Sequence, residues 1–225
     1  MENLFKNAGF IISQNQLDLF EEYYKLLTVY NEKFNITAIT DKKEVYIKHF
    51  IDSLFGAKFI NGNFLDVGSG GGFPAIPLKI FKPELSATLL DATGKKCDFL
   101  REVVKQLKLD KVNVVLGRAE ELAHDKALRE KFDYVTARAV AGLPVLTEYC
   151  LPFVKVGGKF VAYKGDAEQE IKDSENALKI LGGKIEKTEK IDLFGNNRTI
   201  IVINKDKATD KLYPRTNAKI KKKPL

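Results

Sequence analysis

The chain has 225 residues, 44% of them hydrophobic and 30% charged, a balance that suits one sizeable globular domain whose core needs no staples. Two cysteines, Cys97 and Cys150, make no disulfide framework, and the opening Met1-Glu2-Asn3-Leu4-Phe5 has no secretory pattern; a cytoplasmic, reducing compartment and no membrane partner are expected. The net charge of +7 is uneven: residues 205–225 hold eight Lys and Arg against two Asp, whereas the first 204 residues sum to +1. A basic end of this kind means a polyanion partner or a solvated tail.

In chain order, Leu17, Phe20, Tyr24, Leu27 and Tyr30 recur at three- and four-residue steps, which predicts an amphipathic helix over 14–31 with Ser13 as its N-cap. Asp41 caps a second predicted helix reaching about Phe59. These elements form an N-terminal helical cap over residues 1–62. From Phe64 strands and helices alternate. Strands are expected at 64–67, 85–90, 112–116, 132–136 and 159–163, and helices at 95–107, 120–129, 143–154 and 167–181. Such repetition predicts a parallel sheet with helices on both faces. Two late strands, 184–191 and 198–203, are separated only by a turn containing Gly195-Asn196, so the sheet closes with an antiparallel hairpin. The sheet domain spans 63–204 and the basic C-terminal tail 205–225. An α/β sheet closed in this way looks like the class I (Rossmann-like) methyltransferase architecture rather than a dehydrogenase's.

The first strand runs into Gly68-Ser69-Gly70-Gly71-Gly72, a turn that a ligand can approach without meeting a Cβ. Gly70-x-Gly72-x-x-Ala75, with Asp91 21 residues after Gly70, satisfies a dinucleotide fingerprint. Asp66-Val67-Gly68-x-Gly70-x-Gly72 fits a nucleoside and amino-acid ligand equally well. Phe73 and Pro74 favour the second, because a pyrophosphate needs free amides at a helix start and proline has none. Asp91 is placed to accept ribose hydroxyls, or to cap the next helix. Glu120, after the third strand, addresses an adenine edge or serves as an ordinary helix-start acid. The fourth strand ends in Thr136-Ala137-Arg138-Ala139-Val140-Ala141, which carries neither an Asn/Asp-Pro-Pro-aromatic run nor Pro-Cys, and so no nucleophile and no evident base. His49, Asp52 and Ser53 lie at i, i+3 and i+4 of one helix and cannot form a serial triad; His49 reads as a contact between cap and sheet, or with RNA. His124 receives no role. Cys97 and Cys150 read as core residues. No His/Cys cluster suggests a metal.

Taken together, Tyr30-Asn31-x-x-x-Asn35-Ile36-Thr37-Ala38-Ile39, His49-x-x-Asp52-Ser53-Leu54, the turn from Leu65 to Leu78, Thr136 to Ala141, Gly157-Gly158, Lys164-Gly165, Tyr213-Pro214-Arg215 and the closing Lys223-Pro224-Leu225 resemble the bacterial 16S ribosomal RNA guanine-N7 methyltransferases (glucose-inhibited division protein B family). Departures are Gly71 for the usual alanine, Ala75 for glycine, Ala137 for serine, and Ala218 and Ile220 in the tail. The resemblance implies S-adenosylmethionine bound at the turn by Asp66, Gly68, Gly70 and Phe73. It places Asp91, Ala92 and Thr93 on the ribose, Ala119 and Glu120 on the adenine, and Arg138 at the methyl-transfer end. It also implies 16S rRNA or a small-subunit precursor as partner. Lys164, Arg215, Lys219, Lys221, Lys222 and Lys223 are then candidate RNA contacts. The enzyme is expected to be a monomer that needs no metal.

Overall fold

In the computed structural model, which describes residues 1–225, seven strands form one sheet. They are β1 (Asn63–Val67), β2 (Ser86–Asp91), β3 (Val112–Leu116), β4 (Phe132–Arg138), β5 (Val154–Lys164), β6 (Gly183–Leu193) and β7 (Asn196–Lys205). Their order is β3-β2-β1-β4-β5-β7-β6. Pairings among the first five are parallel, and β7 runs antiparallel to both β5 and β6. Central strand β1 is buried on both faces, so it reads as an unbroken apolar run rather than an alternation. Reversal of strand order between β1 and β4 opens a crevice beyond their carboxyl ends, where open α/β sheets bind ligands. This is the expected α/β class I arrangement with its terminal hairpin.

The N-terminal helices share a hydrophobic core with one face of the sheet. Helix α1 covers Glu2–Asn7 and α2 covers Gln14–Phe34. Ser13 caps α2 in a reciprocal pair with Gln16. The Gln16 amide also donates to the carbonyls of Ile80 and Phe81, 3.1 and 3.0 Å away. Those carbonyls end α4 (Ala75–Phe81), where a helix has no internal donors left. One side chain thus starts one helix and finishes another. The span that reads as a single helix to Phe59 is instead α3 (Lys42–Val45), a π-helical stretch at Tyr46–Ile51 and a final turn at Asp52–Leu54. A π turn inserts an extra residue and re-aims the side chains after it, which is common at functional sites.

The crossover helices are α5 (Gly94–Gln106), α6 (Ala119–Leu122) and α7 (Leu143–Cys150), then α8 (Glu168–Asp173) and α9 (Glu175–Leu181). Helix α6 is far shorter than the expected 120–129. The single helix expected at 167–181 is broken at Ser174, and Pro152 ends α7 in a 3-10 turn. Both cysteines are buried.

The C-terminal segment departs furthest from expectation. Strand β7 runs one residue past the boundary drawn at 204, and the chain beyond it packs against the second core as α10 (Asn217–Lys222), with Ile220 fully buried. Lys205 is completely buried and donates to Leu151 O at 2.7 Å. Burial holds its ammonium down to about 8, from an ordinary value of 10.5. Arg129 donates to the carbonyls of Thr209 and Tyr213, at 2.8 and 2.9 Å. The strongest tie is Arg215, which forks onto Glu148 of α7 at 2.9 and 2.7 Å while its own backbone N–H donates to the same carboxylate.

Arg215 is therefore not a free cation for RNA, because a fully buried carboxylate already claims it. Removing one member of such a pair strands the other charge out of water. Arg215→Ala should lower unfolding free energy by about 3 kcal/mol, read from urea denaturation. A loss under about 0.5 kcal/mol, the size of a surface substitution, would mean that Glu148 finds water instead.

Candidate active site

The glycine turn follows from the end of β1. Gly68, Gly70 and Gly72 have φ of 71°, 56° and 93°, a region that side chains with a Cβ enter only at a cost. At Gly72 a Cβ would also stand 2.6 Å from Tyr23 Oη and 2.7 Å from Ile76. The cap presses on the turn here, and the Tyr23 hydroxyl donates to Gly71 O.

The amides of the turn are nearly all spent. Those of Gly68 and Ser69 donate to Leu90 O, and those of Gly72 and Phe73 to Ser69 O. The Gly70 amide donates to Asp91 Oδ2 at 2.8 Å. A pyrophosphate needs such amides free. This turn is built to leave its carboxylates available instead.

Three acids surround it. Asp91, at the end of β2, accepts from Gly70 and from the Thr93 amide at 2.9 Å. It bridges the turn to β2 and does not cap α5, whose N-cap is Thr93. Asp66 is fully buried; Thr136 donates to its Oδ1 at 2.7 Å, while Oδ2 has no partner. Burial lifts the Asp66 carboxyl from 3.8 to about 7. Glu120, in α6, also holds a buried oxygen without a hydrogen bond, with Arg118 3.8 Å away. Unpartnered buried acceptors are costly. Of the two, the Glu120 oxygen follows β3 at the sheet's carboxyl edge, where a ligand's donor could meet it.

A cleft of about 190 Å³ lies beside Glu120. Of the residues expected on the cofactor, Gly68, Ala92, Ala119 and Glu120 line it, joined by Val140 and, from the C-terminal helix, Lys221. Asp66, Gly70, Phe73, Asp91, Thr93 and Arg138 are not on its wall. The Phe73 ring is 7% exposed and stacks on His49, with centroids 4.4 Å apart and planes at 15°. It supports the turn from behind, against the cap.

Arg138 ends β4. One nitrogen, Nη1, donates to Asp52 Oδ2 at 2.8 Å and Lys48 O at 3.0 Å; Nη2 lies 3.1 Å from His49 Nδ1. Arginine only donates, so His49 Nδ1 accepts and its Nε2–H donates to Thr37 Oγ1 at 2.8 Å. Burial first, and Arg138 second, drive the imidazole down to about 3. His49 is thus neutral and fully engaged, a contact between cap and sheet. Asp52 Oδ1 accepts from Arg198 of β7 at 3.0 Å. The Ser53 hydroxyl donates to the backbone of His49, so these residues form no nucleophile.

A second cavity, of about 340 Å³, opens beyond Arg138 and Ala139, between the cap and the ends of β5 and β7. Lys164 lines it but pairs with Glu170 at 2.6 Å and donates to Ala141 O at 2.8 Å. Its side chain is 11% exposed, so the expectation of a free RNA cation there is corrected. Lys219, Lys221, Lys222 and Lys223 are exposed. Arg198 and Asp52 join the site without having been expected there. A lone Arg in a hairpin strand carries no signal in sequence, whereas the spacing His49-x-x-Asp52 holds a carboxylate that could be weighed as a partner for an arginine. No group of three or more His, Cys, Asp or Glu side chains stands together as a metal site. No helix is long and apolar enough to cross a membrane.

Comparison with known proteins agrees with this geometry. Residues 16–200 match the model of the family described as rRNA small subunit methyltransferase G (GidB). The chain is 47% identical over 226 residues to the ribosomal RNA small subunit methyltransferase G of Lactobacillus helveticus, covering 96% of this chain and 94% of that one. It is 47% identical over 227 residues to the protein of the same name from Alkaliphilus metalliredigens, covering 98% and 95%. Among solved structures, a SAM dependent methyltransferase from Aquifex aeolicus superposes with a TM-score of 0.56 at 16% identity, over 75% of this chain and 96% of that one. The Pyrococcus horikoshii TYW2 complex with MeSAdo gives 0.55 at 14%, over 69% and 61%. At such low identity the structures testify to the fold; the sequence match, running through cap, glycine turn and hairpin alike, places the chain in the rRNA small subunit methyltransferase G family.

Proposed function

We propose that this member of the small-subunit rRNA methyltransferase family methylates N7 of one guanine in 16S rRNA, with S-adenosylmethionine held in the 190 Å³ cleft. The observation that carries the reading is Glu120, whose buried oxygen has no hydrogen bond and whose side chain stands on the cleft wall. That oxygen suits the ligand's adenine amino group, so an unmet acceptor gains a donor. Asp91 keeps lone pairs for the ribose hydroxyls after accepting two backbone amides. Ala92 and Ala119, as small wall residues, leave room for the nucleoside.

When bound, adenosylmethionine supplies a sulfonium methyl; as guanine N7 gives its lone pair to that carbon, the carbon–sulfur pair returns to sulfur and the positive charge passes to the purine. N7 carries no proton, so the protein needs no base. The residues at the end of β4 accord with that economy, since His49 is neutral with both nitrogens engaged. Three of the five N–H groups of Arg138 are taken by Lys48, His49 and Asp52, which leaves two to face substrate. Its role is to hold a fixed dipole and charge at the transfer point, so that catalysis consists of positioning and electrostatics.

The test is mass mapping of small-subunit RNA after incubation with labelled adenosylmethionine. One N7-methylguanosine is expected, and methyl on any other atom overturns the reading. Asp91→Ala should weaken adenosylhomocysteine binding by about 1–3 kcal/mol in calorimetry while RNA affinity is kept.

The exposed lysines of the C-terminal helix supply the polyanion contact. Replacing Lys219, Lys222 and Lys223 by glutamine should shrink the log–log salt slope of RNA binding by about 0.7 for each phosphate no longer neutralised. An unchanged slope would remove the tail from the RNA interface. Point changes are the right tool, because deleting the segment would also strip Lys205 and Ile220 from the core.

Asp66 gives a pH signature. Its folded value of about 7 lies above its unfolded 3.8, so the folded chain holds a proton that the unfolded chain releases between those values. Its contribution to stability is complete below pH 4, falls as pH rises to 7 and is flat above. Asp66→Asn should remove this share of the decline, seen as a smaller drop in urea midpoint from pH 5 to pH 8. An identical drop in both proteins would assign the decline elsewhere.

A further inference from the structure

The 340 Å³ cavity is separated from the cofactor cleft by one loop, since Ala139 lines the first and Val140 and Ala141 the second. A base held in this cavity would lie next to a group bound in the cleft. Its walls suit a nucleotide. Ile39 from the cap and Ile200 from β7 offer apolar surface for a ring. Its cations are all paired, Arg138 and Arg198 with Asp52, Lys164 with Glu170 and Lys48 with Glu44.

The two carboxylates on the wall, Asp52 and Glu170, are not equivalent. Both oxygens of Asp52 are occupied, Oδ2 by Arg138 and Oδ1 by Arg198. In Glu170, by contrast, Oε2 takes both partners, the Leu143 amide and the Lys164 ammonium, each at 2.6 Å. Its Oε1 has none, and the carboxylate is anchored by those two contacts. One anchored oxygen that can only accept thus remains free on the pocket wall, on a side chain 34% exposed.

Guanine and adenine differ in what they offer such an oxygen. If N7 and O6 face the cofactor side, the opposite edge of guanine presents N1–H and the N2 amino group, all donors. Adenine presents the bare N1 acceptor, which a carboxylate repels. We infer that Glu170 reads the N1–H and N2 amino edge of the target guanine, and so sets the choice of base. The inference rests on the function proposed above and names the residue that gives it selectivity. A site built around a substrate donor rejects the analogue lacking it more strongly than any apolar pocket could. Glu170 acts here on recognition; it moves no proton.

The experiment is a cycle between the side chain and the base. Small-subunit RNA is prepared by ligation with guanosine or inosine at the mapped position, since inosine lacks only the N2 amino group and keeps N7. The wild-type chain should favour guanosine over inosine about tenfold in kcat/KM, the size of a hydrogen bond to a charged group. It should show the same order of preference in RNA affinity, measured by anisotropy with adenosylhomocysteine present. In Glu170→Ala, and less completely in Glu170→Gln, the preference should collapse toward one. If Glu170 merely anchors Lys164 and Leu143, its loss lowers both substrates equally and leaves the ratio intact, which overturns the inference. An absence of preference in the wild type overturns it too, whether or not the variants fold. Failure of the broader reading looks different, as no N7-methylguanosine on the guanosine RNA at all.

Discussion

Asp52 is the constraint on which the site depends. It comes from the cap, sits 7% exposed, and takes one guanidinium from the end of β4 and another from β7. Three elements distant in sequence are thereby fixed at one point. A buried ion pair is weak evidence for stability, because desolvation consumes most of what the charges return. What it supplies is geometry, since bidentate and shared arginine contacts tolerate little displacement. The π turn that carries His49 and leads into Asp52 belongs to the same device. Without its extra residue, His49 and Asp52 would present to Arg138 at a different angle.

The glycine turn shows the opposite economy. Two unpartnered carboxylate oxygens and an aspartate lifted to about 7 work against the free protein. The surrounding structure over-determines the turn, with the Tyr23 hydroxyl on one side, Leu90 O and Asp91 on the other and the Phe73–His49 stack behind. Strain of this sort persists where a ligand relieves it.

Much of this is legible in the chain. The span of β3 reads to the residue, and β1 and β2 to within one, because buried parallel strands are short apolar runs between turn signals. The closing hairpin follows from Gly195-Asn196. Asp66, Asp91 and Glu120 stand out by their positions at strand ends. Harder to read is every feature set by a partner far away. The helix at 167–181 breaks at Ser174, a residue with no strong signal of its own. Arg215 and Lys164 count as free cations in sequence, because charge can be summed there while pairing cannot. Glu148 gives no warning, as it sits inside an apolar helix that reads as core. Phe73 belongs with the ligand by its neighbours in the chain, whereas its ring turns back toward His49.

The tail is the sharpest case, since one composition serves two ends. Of its eight basic residues, Lys205 is completely buried and Arg215 is consumed by Glu148, while Lys219, Lys222 and Lys223 remain in water. The first two fasten the segment to the second core, and the others project from a helix so fastened. Lys221 comes from the same short helix and reaches the wall of the cofactor cleft. A free tail would lose conformational entropy on meeting RNA. Here folding has already met that cost, through Arg129, Arg215 and Ile220. The exposed lysines are then held in a fixed relation to the cleft, so that under the proposed function a strand bound along them would arrive at the site in a defined register.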